Sequence, residues 1–238
     1  MRLIALTTAL LGLAACGTET GNPELDMFSA ARSSQPDAVG IEEEASTLRI
    51  DGAWVAFGDI RVVQSAACDG PGGAEADIDG PWVADLLGGP PQLLSVPDDE
   101  YCRVRVPMDA VRAPLPSGTP AQLEDASVFV EGQLADGTPF ELVSRREPEL
   151  DVRSRTAPFL LSDSQQALVL AFDMAVWLDG VDLSEGELDG SMLRIDEGNN
   201  DTLLEAVEDN IERSLELYED STGQGVVADG DTPLATSG

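Results

Sequence analysis

The chain has 238 residues, with 45 Asp and Glu, 13 Arg, no Lys and no His, which gives a formal net charge of −32 at pH 7. This charge argues against binding to nucleic acid or, through charge, to anionic lipid surfaces, because phosphates would be repelled. Without His and Lys the chain cannot build a Ser-His-Asp relay, an imidazole zinc site, a Schiff base or a P-loop.

The first predicted element is an export signal. Residues 3–15 are uncharged and mostly Leu, Ile and Ala, a run too short to span a bilayer as a stable helix. Because Arg2 precedes this run and small residues end it, we predict a secretory signal peptide over residues 1–15. The stretch Leu13-Ala14-Ala15-Cys16 resembles the lipobox of bacterial lipoproteins. A plain secretory signal with an incidental Cys, or a buried core helix, is the alternative.

The lipobox resemblance implies an anchor. Cys16 would carry fatty acyl groups such as palmitate and become the N-terminus of the mature chain. More than one acyl chain gives stable attachment to a membrane. Gly17 rather than Asp follows Cys16, which by resemblance favours the outer membrane. We therefore expect a lipid-anchored protein of the bacterial cell envelope, attached to the outer membrane.

Residues 16–46 are predicted to be the lipidated Cys and a disordered acidic tether. The apolar positions show no sustained period, and Glu42, Glu43 and Glu44 form an acidic run. A flexible coil of this length reaches roughly 30 Å. Such a tether would hold the next domain clear of the lipid headgroups.

Residues 47–197 are predicted to form a mainly β domain, a single antiparallel β-sandwich of the immunoglobulin or transthyretin-like kind. Short alternating segments separated by turns indicate this class. Asp136-Gly137 predicts a tight hairpin between two of these segments. The side chains expected to face inward are Leu48, Ile50, Trp54, Ala56, Ile60, Val62, Cys102, Val104, Val106, Met108, Leu168, Leu170 and Phe172.

Part of this domain resembles a domain of unknown function from bacterial envelope lipoproteins, which is thought to be a β-sandwich. Its features are matched by Asp85-Leu86-Leu87, Pro97, Tyr101 and Arg103. Asp99 or Glu100 stands where Gly is usual in that family. The resemblance implies an envelope lipoprotein module without agreed catalytic residues.

The remaining two Cys predict one disulfide. If Cys16 is lipidated, Cys68 and Cys102 are the two Cys that remain, and an exported protein is in an oxidising setting. Two Cys in that setting predict one disulfide between them. Cys102 is expected to face inward on its strand, and Cys68 lies beside a Pro-Gly loop.

The C-terminal part predicts one amphipathic helix over residues 198–220, packed on the sandwich, and a disordered tail over residues 221–238. Apolar residues recur at steps of three and four, and Asn200 or Asp201 can cap the start. Capture of this helix by a partner is the alternative. The apolar positions are Leu204, Val207, Ile211, Leu215 and Tyr218.

The sequence predicts no catalytic residues, no metal ligands and no cofactor. Residues 179–190 and 229–232 are dense in acids, the natural ligands of Ca²⁺, but they lack EF-hand spacing. Trp54, Trp82 and Trp177 could form a sugar-stacking platform, although core packing is favoured for each. Carboxylate pairs of the glycosidase kind carry no weight among 45 acids.

We therefore expect a non-catalytic, lipid-anchored envelope domain that binds or scaffolds another envelope component, and no nucleic acid. A carbohydrate- or calcium-binding adhesion module is the second hypothesis. A carboxylate-based hydrolase is the third. An envelope protein or a glycan would be the partner.

Overall fold

The computed structural model describes residues 24–41, 47–68, 75–162, 167–228 and 230–237. The protein is mainly β and forms two sheets, as the alternating sequence pattern predicts. The predicted signal peptide 1–15 and Cys16 lie outside the described residues. No helix within the described ranges is long and apolar enough to cross a membrane.

The larger sheet, sheet A, contains ten strands. In spatial order they are β5 (Glu75–Ile78), β4 (Ile60–Gln64), β8 (Asp99–Pro107), β11 (Glu149–Arg153), β17 (Ala235–Ser237), β16 (Leu215–Asp220), β13 (Ala167–Asp173), β1 (Glu24–Arg32) and β7 (Gln92–Ser95), with β12 (Phe159–Leu161) also paired to β8.

The second sheet, sheet B, contains seven strands. They are β14 (Leu188–Asp189), β15 (Met192–Ile195), β10 (Pro139–Ser144), β9 (Val128–Leu134), β3 (Leu48–Phe57) and β2 (Val39–Ile41), with β6 (Trp82–Asp85) also paired to β3. The α-helices in the described ranges are α1 (Met174–Trp177) and α2 (Asp201–Ile211). Short 3₁₀ turns occupy Ser65–Ala67, Ala121–Leu123 and Leu183–Glu185.

The two sheets share one apolar core. A single cluster of buried side chains includes Met27 and Leu170 of sheet A, Val55 and Phe140 of sheet B, and Val207 of α2. The hydrophobic effect on this shared surface is what holds the layers together.

The sheets are mixed, so the prediction of a purely antiparallel fold is wrong. Three strand pairs are parallel: β1 with β13, β10 with β15, and β2 with β3. The first two pairs join segments far apart in the chain, where no hairpin imposes an antiparallel direction.

Within β3 the inward face changes partway along the strand. Ile50 and Val55 belong to the shared core, whereas Trp54 and Ala56 pack on the opposite face of sheet B. The register with β9 shifts between Ile50 and Gly52, and a bulge of this kind reverses every later side chain. The prediction that Trp54 and Ala56 face inward with Ile50 is therefore wrong.

Other local predictions are confirmed. Val104, Val106 and Met108 are buried on β8. β9 and β10 form an antiparallel hairpin whose turn contains Gly137 with φ +84°, a conformation that favours glycine. On β13 the shared core contains Leu168, Leu170 and Phe172.

The prediction of a disordered tether is wrong for residues 24–32 and 39–41, which form β1 and β2. β1 lies between β13 and β7, and its Leu25 and Met27 are buried. The alternation of Leu25 and Met27 is too short to stand out locally, and β1 is stabilised by a partner strand that is distant in sequence.

The C-terminal part contains an amphipathic helix, as predicted, but the helix is shorter than residues 198–220 and the tail is not wholly disordered. Leu204, Val207 and Ile211 of α2 are buried in the shared core. The chain then turns, and Leu215–Asp220 form β16 rather than more helix. Leu215 and Tyr218 satisfy a helical period, but Leu215 and Leu217 also alternate with period two, and pairing with β13 decides between the two patterns. In the predicted tail, Ala235–Ser237 form β17.

Candidate functional site

A cleft opens along one edge of β1. It has a volume of about 410 Å³ and is lined by Phe28–Arg32, by the loop Leu86–Gly89 and by Gln224–Val227, with Ile41 beside them. We call it the β1 cleft. Four separate parts of the chain line it, so tertiary packing rather than one local motif creates it.

The cleft exists because β7 pairs with only the first part of β1. The antiparallel register of these strands ends at Met27 opposite Gln92. Continued by two residues, it would place Pro90 opposite Ser29, and proline has no N–H to donate. The next hydrogen bond on this side is from the Ala31 N–H to the Leu86 carbonyl, at 2.8 Å.

Ser29 lies at the centre of this gap. Backbone groups alternate sides along a strand, so the N–H and C=O of Ser29 point to the same side as the Ala31 N–H, away from β13. Among the described strands none pairs with β1 opposite Phe28–Ala30 on that side. Ser29 is 9% exposed, and its Oγ has no hydrogen-bond partner among the described residues.

One end of the cleft holds a charged network, the Arg32 cluster, formed by Arg32, Asp173, Glu216 and Tyr218. Nη2 of Arg32 lies 2.6 Å from Glu216 Oε2 and 3.2 Å from Asp173 Oδ2. The guanidinium also lies 5.8 Å from the centre of the Tyr218 ring, within cation–π range. The Tyr218 hydroxyl donates to Glu216 Oε2 at 2.6 Å.

Asp173 is the most buried charged member of the Arg32 cluster, with 3% exposure. Its Oδ1 accepts the backbone N–H groups of Ser34 and Ala175, each at 3.1 Å, and thereby caps α1. Buried carboxylates require such partners, because desolvation of an unpaired charge is costly. Asp173 therefore ties β1, α1 and the Ser34 loop together.

The pKa directions reflect this enclosure. Burial raises the pKa of the Tyr218 hydroxyl, and the adjacent Glu216 carboxylate raises it further. Burial opposes the charge on Arg32, but Glu216 and then Asp173 outweigh burial, so the pKa of Arg32 is raised. Arg32 stays a cation and Tyr218 stays a neutral hydrogen-bond donor.

The groups that line the β1 cleft are suited to contact a ligand. Arg32 is engaged by two carboxylates, so the cluster is net negative and does not favour an anion. The other cleft walls offer backbone groups and the apolar side chains of Phe28, Val226 and Val227. Val226 is 62% exposed, and it places apolar surface at the mouth of the cleft.

A second polar surface lies on the outer face of sheet B. We call it the acidic patch, formed by Asp51, Glu131 and Glu141 beside Trp54. Glu131 lies opposite Glu141 in register on the adjacent strand. Burial raises the pKa of Glu131, and the charges of Glu141 and Asp51 raise it further. The Trp54 ring lies over Gly52, where a Cβ would be 2.4 Å from ring atoms.

The predicted disulfide is present. Cys68 and Cys102 are bonded, with their Cα atoms 6.2 Å apart. The bond joins the end of the β4 segment to β8, its neighbour in sheet A. It therefore reinforces a pairing that the sheet already makes.

The acid-dense stretches form local turns. Asp182 Oδ1 accepts both the N–H and the hydroxyl of Ser184, and these hydrogen bonds lower the pKa of Asp182. In the second stretch Asp231 accepts the Ala228 N–H at 2.8 Å, whereas residue 229 lies outside the described part. Within the described ranges, no group of three or more Cys, Asp and Glu side chains could hold a metal ion.

The three tryptophans are in separate environments and do not form one platform. Trp177 is buried, and its Nε1 donates to Ser214 Oγ at 2.6 Å. Trp82 packs against Phe57, with ring centroids 4.6 Å apart. Trp54 stacks on a different ring, that of Phe129, at 5.5 Å.

The sequence pattern does not reveal the Arg32 cluster, because β1 lies within the predicted tether. One signal was available, since Arg32 is the only basic residue between Arg2 and Arg49 in a strongly acidic chain. Asp173 also ends the apolar run of β13 with a charge. No family model matches the chain, and neither curated proteins nor solved structures give a match.

Proposed function

We propose that this protein is a non-catalytic, lipid-anchored component of the bacterial cell envelope that binds or scaffolds another envelope component, with the β1 cleft as its binding surface. The observation that carries the binding role is the unpaired edge of β1 at Phe28–Ala30, inside a cleft of about 410 Å³. Concave surfaces with a few free polar groups are the usual form of a binding site.

In this proposal the two sheets constitute a β-sandwich, and the domain belongs with the envelope lipoprotein modules that the sequence resembles. The single core shared by both sheets supports a sandwich. The parallel pairs distinguish it from the immunoglobulin arrangement, whose sheets are antiparallel.

The position of β1 determines how far from the membrane an anchored domain could lie. If Cys16 is acylated, the residues up to Pro23 separate the lipid from β1, which begins at Glu24. Even fully extended, a segment of this length spans only about 25–30 Å. The domain would therefore stay near the outer-membrane surface rather than extend far from it, and its partner would be sought there.

The anchor is tested by fractionating cells that produce the full chain and a Cys16→Ser variant. We expect the full chain in the outer-membrane fraction, with an intact mass that lacks residues 1–15 and includes acyl groups. Cys16→Ser should lose both the acylation and the membrane association. An unacylated chain with an N-terminus elsewhere would contradict the proposal.

The binding surface is tested by placing a photocrosslinking amino acid at Val226, in the cleft, or at Leu188, a surface position of similar exposure, 55%, on sheet B. In intact envelopes, position 226 should give one defined crosslinked partner that position 188 does not give. Equal products at the two positions, or none at 226, would contradict a binding role for the cleft.

A second candidate function is carbohydrate binding by the acidic patch. It is favoured by Trp54, whose half-buried ring lies on the outer face of sheet B beside Glu131. Aromatic rings next to hydrogen-bonding side chains suit sugar stacking. Titration calorimetry with an N-acetylglucosamine tetrasaccharide should then show binding, and Trp54→Ala should abolish it. No response in the unsubstituted chain would exclude this ligand class.

A further inference from the structure

We propose that the β1 cleft binds an extended, basic segment of a protein partner, which pairs with β1 at Ser29. This inference rests on the proposed binding role of the cleft and names the chemistry of its ligand. The recognition mode is the addition of a strand to an exposed sheet edge, in which main-chain hydrogen bonds provide affinity.

The hydrogen-bonding pattern of the cleft supports this ligand. On the side of β1 away from β13, Met27 is paired with Gln92 and Ala31 donates to Leu86. Between these two points the Ser29 N–H and C=O form a donor and acceptor pair that no described strand meets. One residue of an extended peptide presents the complementary pair, whereas a sugar or a small anion does not repeat this spacing.

The shape of the cleft fits a short extended segment. The open edge covers Phe28, Ser29 and Ala30, a length of about 10 Å at the rise of a β-strand. On one side the wall is the loop containing Gly88 and Gly89, where no side chains obstruct a passing backbone. The other side presents Phe28, Val226 and Val227, which can contact apolar side chains of the segment.

Charge complementarity favours a basic segment. The chain carries a net charge of −32, and the Arg32 cluster at the end of the cleft contains two carboxylates for one guanidinium. Glu216 lies on β16, which β13 separates from β1, so the attraction of Lys or Arg side chains is long-range rather than a contact with this carboxylate. Attraction of this kind also increases the rate of association.

The free protein provides the first test. Amide hydrogen exchange followed by NMR should show fast exchange at Ser29, because its N–H is unpaired, and slow exchange at Ala30, whose N–H faces β13. Equal protection of the two amides would overturn the inference, since the edge would then be occupied or closed.

Binding is tested with defined peptides. The probe is Ac-Lys-Val-Lys-NH₂, whose three residues match the length of the open edge, and the controls are the same peptide with Glu for Lys and one N-methylated at its central residue. We expect resonance shifts centred on Ser29 with the Lys peptide, and affinity at least about tenfold weaker for both controls. Equal binding of the three peptides, or no shift at Ser29 with the Lys peptide, would overturn the inference.

Two substitutions connect the binding to the cleft. Val226→Lys should weaken binding of the Lys peptide, whereas the matched Leu188→Lys should not. Ser29→Pro removes only the N–H that faces the cleft, so it should abolish the shifts while β1 stays paired to β13. If the peptides fail but the crosslink from position 226 is still obtained, the ligand chemistry is wrong and the proposed function stands.

Discussion

The Arg32 cluster and the acidic patch show two ways in which one acidic chain places carboxylates close together. In the Arg32 cluster a guanidinium lies within 3.2 Å of two carboxylates, and Asp173 is almost fully buried. In the acidic patch Glu131 faces Glu141, and none of the ion pairs among the described residues includes Glu131. Charges are thus compensated where β1 must pack, whereas in the acidic patch Arg partners compensate Asp51 and Glu141 but not Glu131.

The largest expected effect comes from removing the compensating charge. Arg32→Met leaves Asp173 and Glu216 without their cation in a partly enclosed site, so the free energy of unfolding should fall by about 3 kcal/mol. Urea unfolding followed by circular dichroism measures this change. The matched variant is Arg61→Met, which removes an exposed pair with Asp77 and should cost at most about 0.5 kcal/mol.

A double variant separates lost charge from lost packing. In Arg32→Met/Asp173→Asn the buried carboxylate becomes neutral but still accepts the Ser34 and Ala175 N–H groups, so part of the loss should be recovered. If the double variant is no more stable than Arg32→Met, packing of the Arg32 side chain rather than its charge stabilises β1.

The second prediction concerns Tyr218, one of two tyrosines in the chain. In a Tyr101→Phe background the absorbance of phenolate should appear well above pH 10, the ordinary pKa of tyrosine. The pKa of Tyr218 is higher in the folded state than in the unfolded state, so the protonated hydroxyl stabilises the fold. This stabilisation is complete below about pH 10 and is lost as the pH rises further. Replacing Glu216 with Gln should lower the pKa of Tyr218, and an unchanged value would contradict the hydrogen-bonded arrangement.

The comparison also shows what sequence patterns could predict. Local spacing predicts the mainly β fold class, the hairpin at Gly137, the alternation of β8 and the Cys68–Cys102 bond. Hairpins and period-two patterns are local properties of a sequence. The direction of the β1 and β13 pair could not be predicted, since it depends on which distant strand β1 meets. The bulge after Ile50 has one sequence signal, because Gly52 interrupts the strand pattern, but that signal does not fix the register.

The candidate sites were less predictable than the fold. The Arg32 cluster brings together residues from three strands, β1, β13 and β16, and none of their sequence spacings suggests contact. Trp54 was expected to face inward, and the bulge moved it to the acidic patch. Single-sequence patterns therefore located the strands, while the sites depend on tertiary pairing.

The third prediction concerns Glu131 in the acidic patch. Glu131→Gln should raise the free energy of unfolding by about 0.5 kcal/mol at pH 7, because it removes repulsion from a directly opposite like charge. The raised pKa of Glu131 means that its ionisation disfavours the folded state as the pH rises above about 4.3, the unfolded value. The gain should therefore vanish below that pH. A loss of stability at pH 7 would contradict the interpretation of like-charge repulsion.

The smallest expected effect is the change, with salt concentration, in the stability gained by Glu131→Gln. At about 1 M NaCl the Debye length is near 3 Å, so repulsion among Asp51, Glu131 and Glu141 is largely screened. The advantage of Glu131→Gln should therefore shrink to the part that comes from burial of the carboxylate. The unsubstituted chain should itself gain stability with salt, because folding concentrates a charge of −32. Melting curves in NaCl, MgCl₂ and CaCl₂ measure both effects, and Ca²⁺ should act like Mg²⁺ at equal ionic strength. A saturable rise selective for Ca²⁺ would follow the logarithmic dependence of specific binding and would favour the calcium-binding alternative.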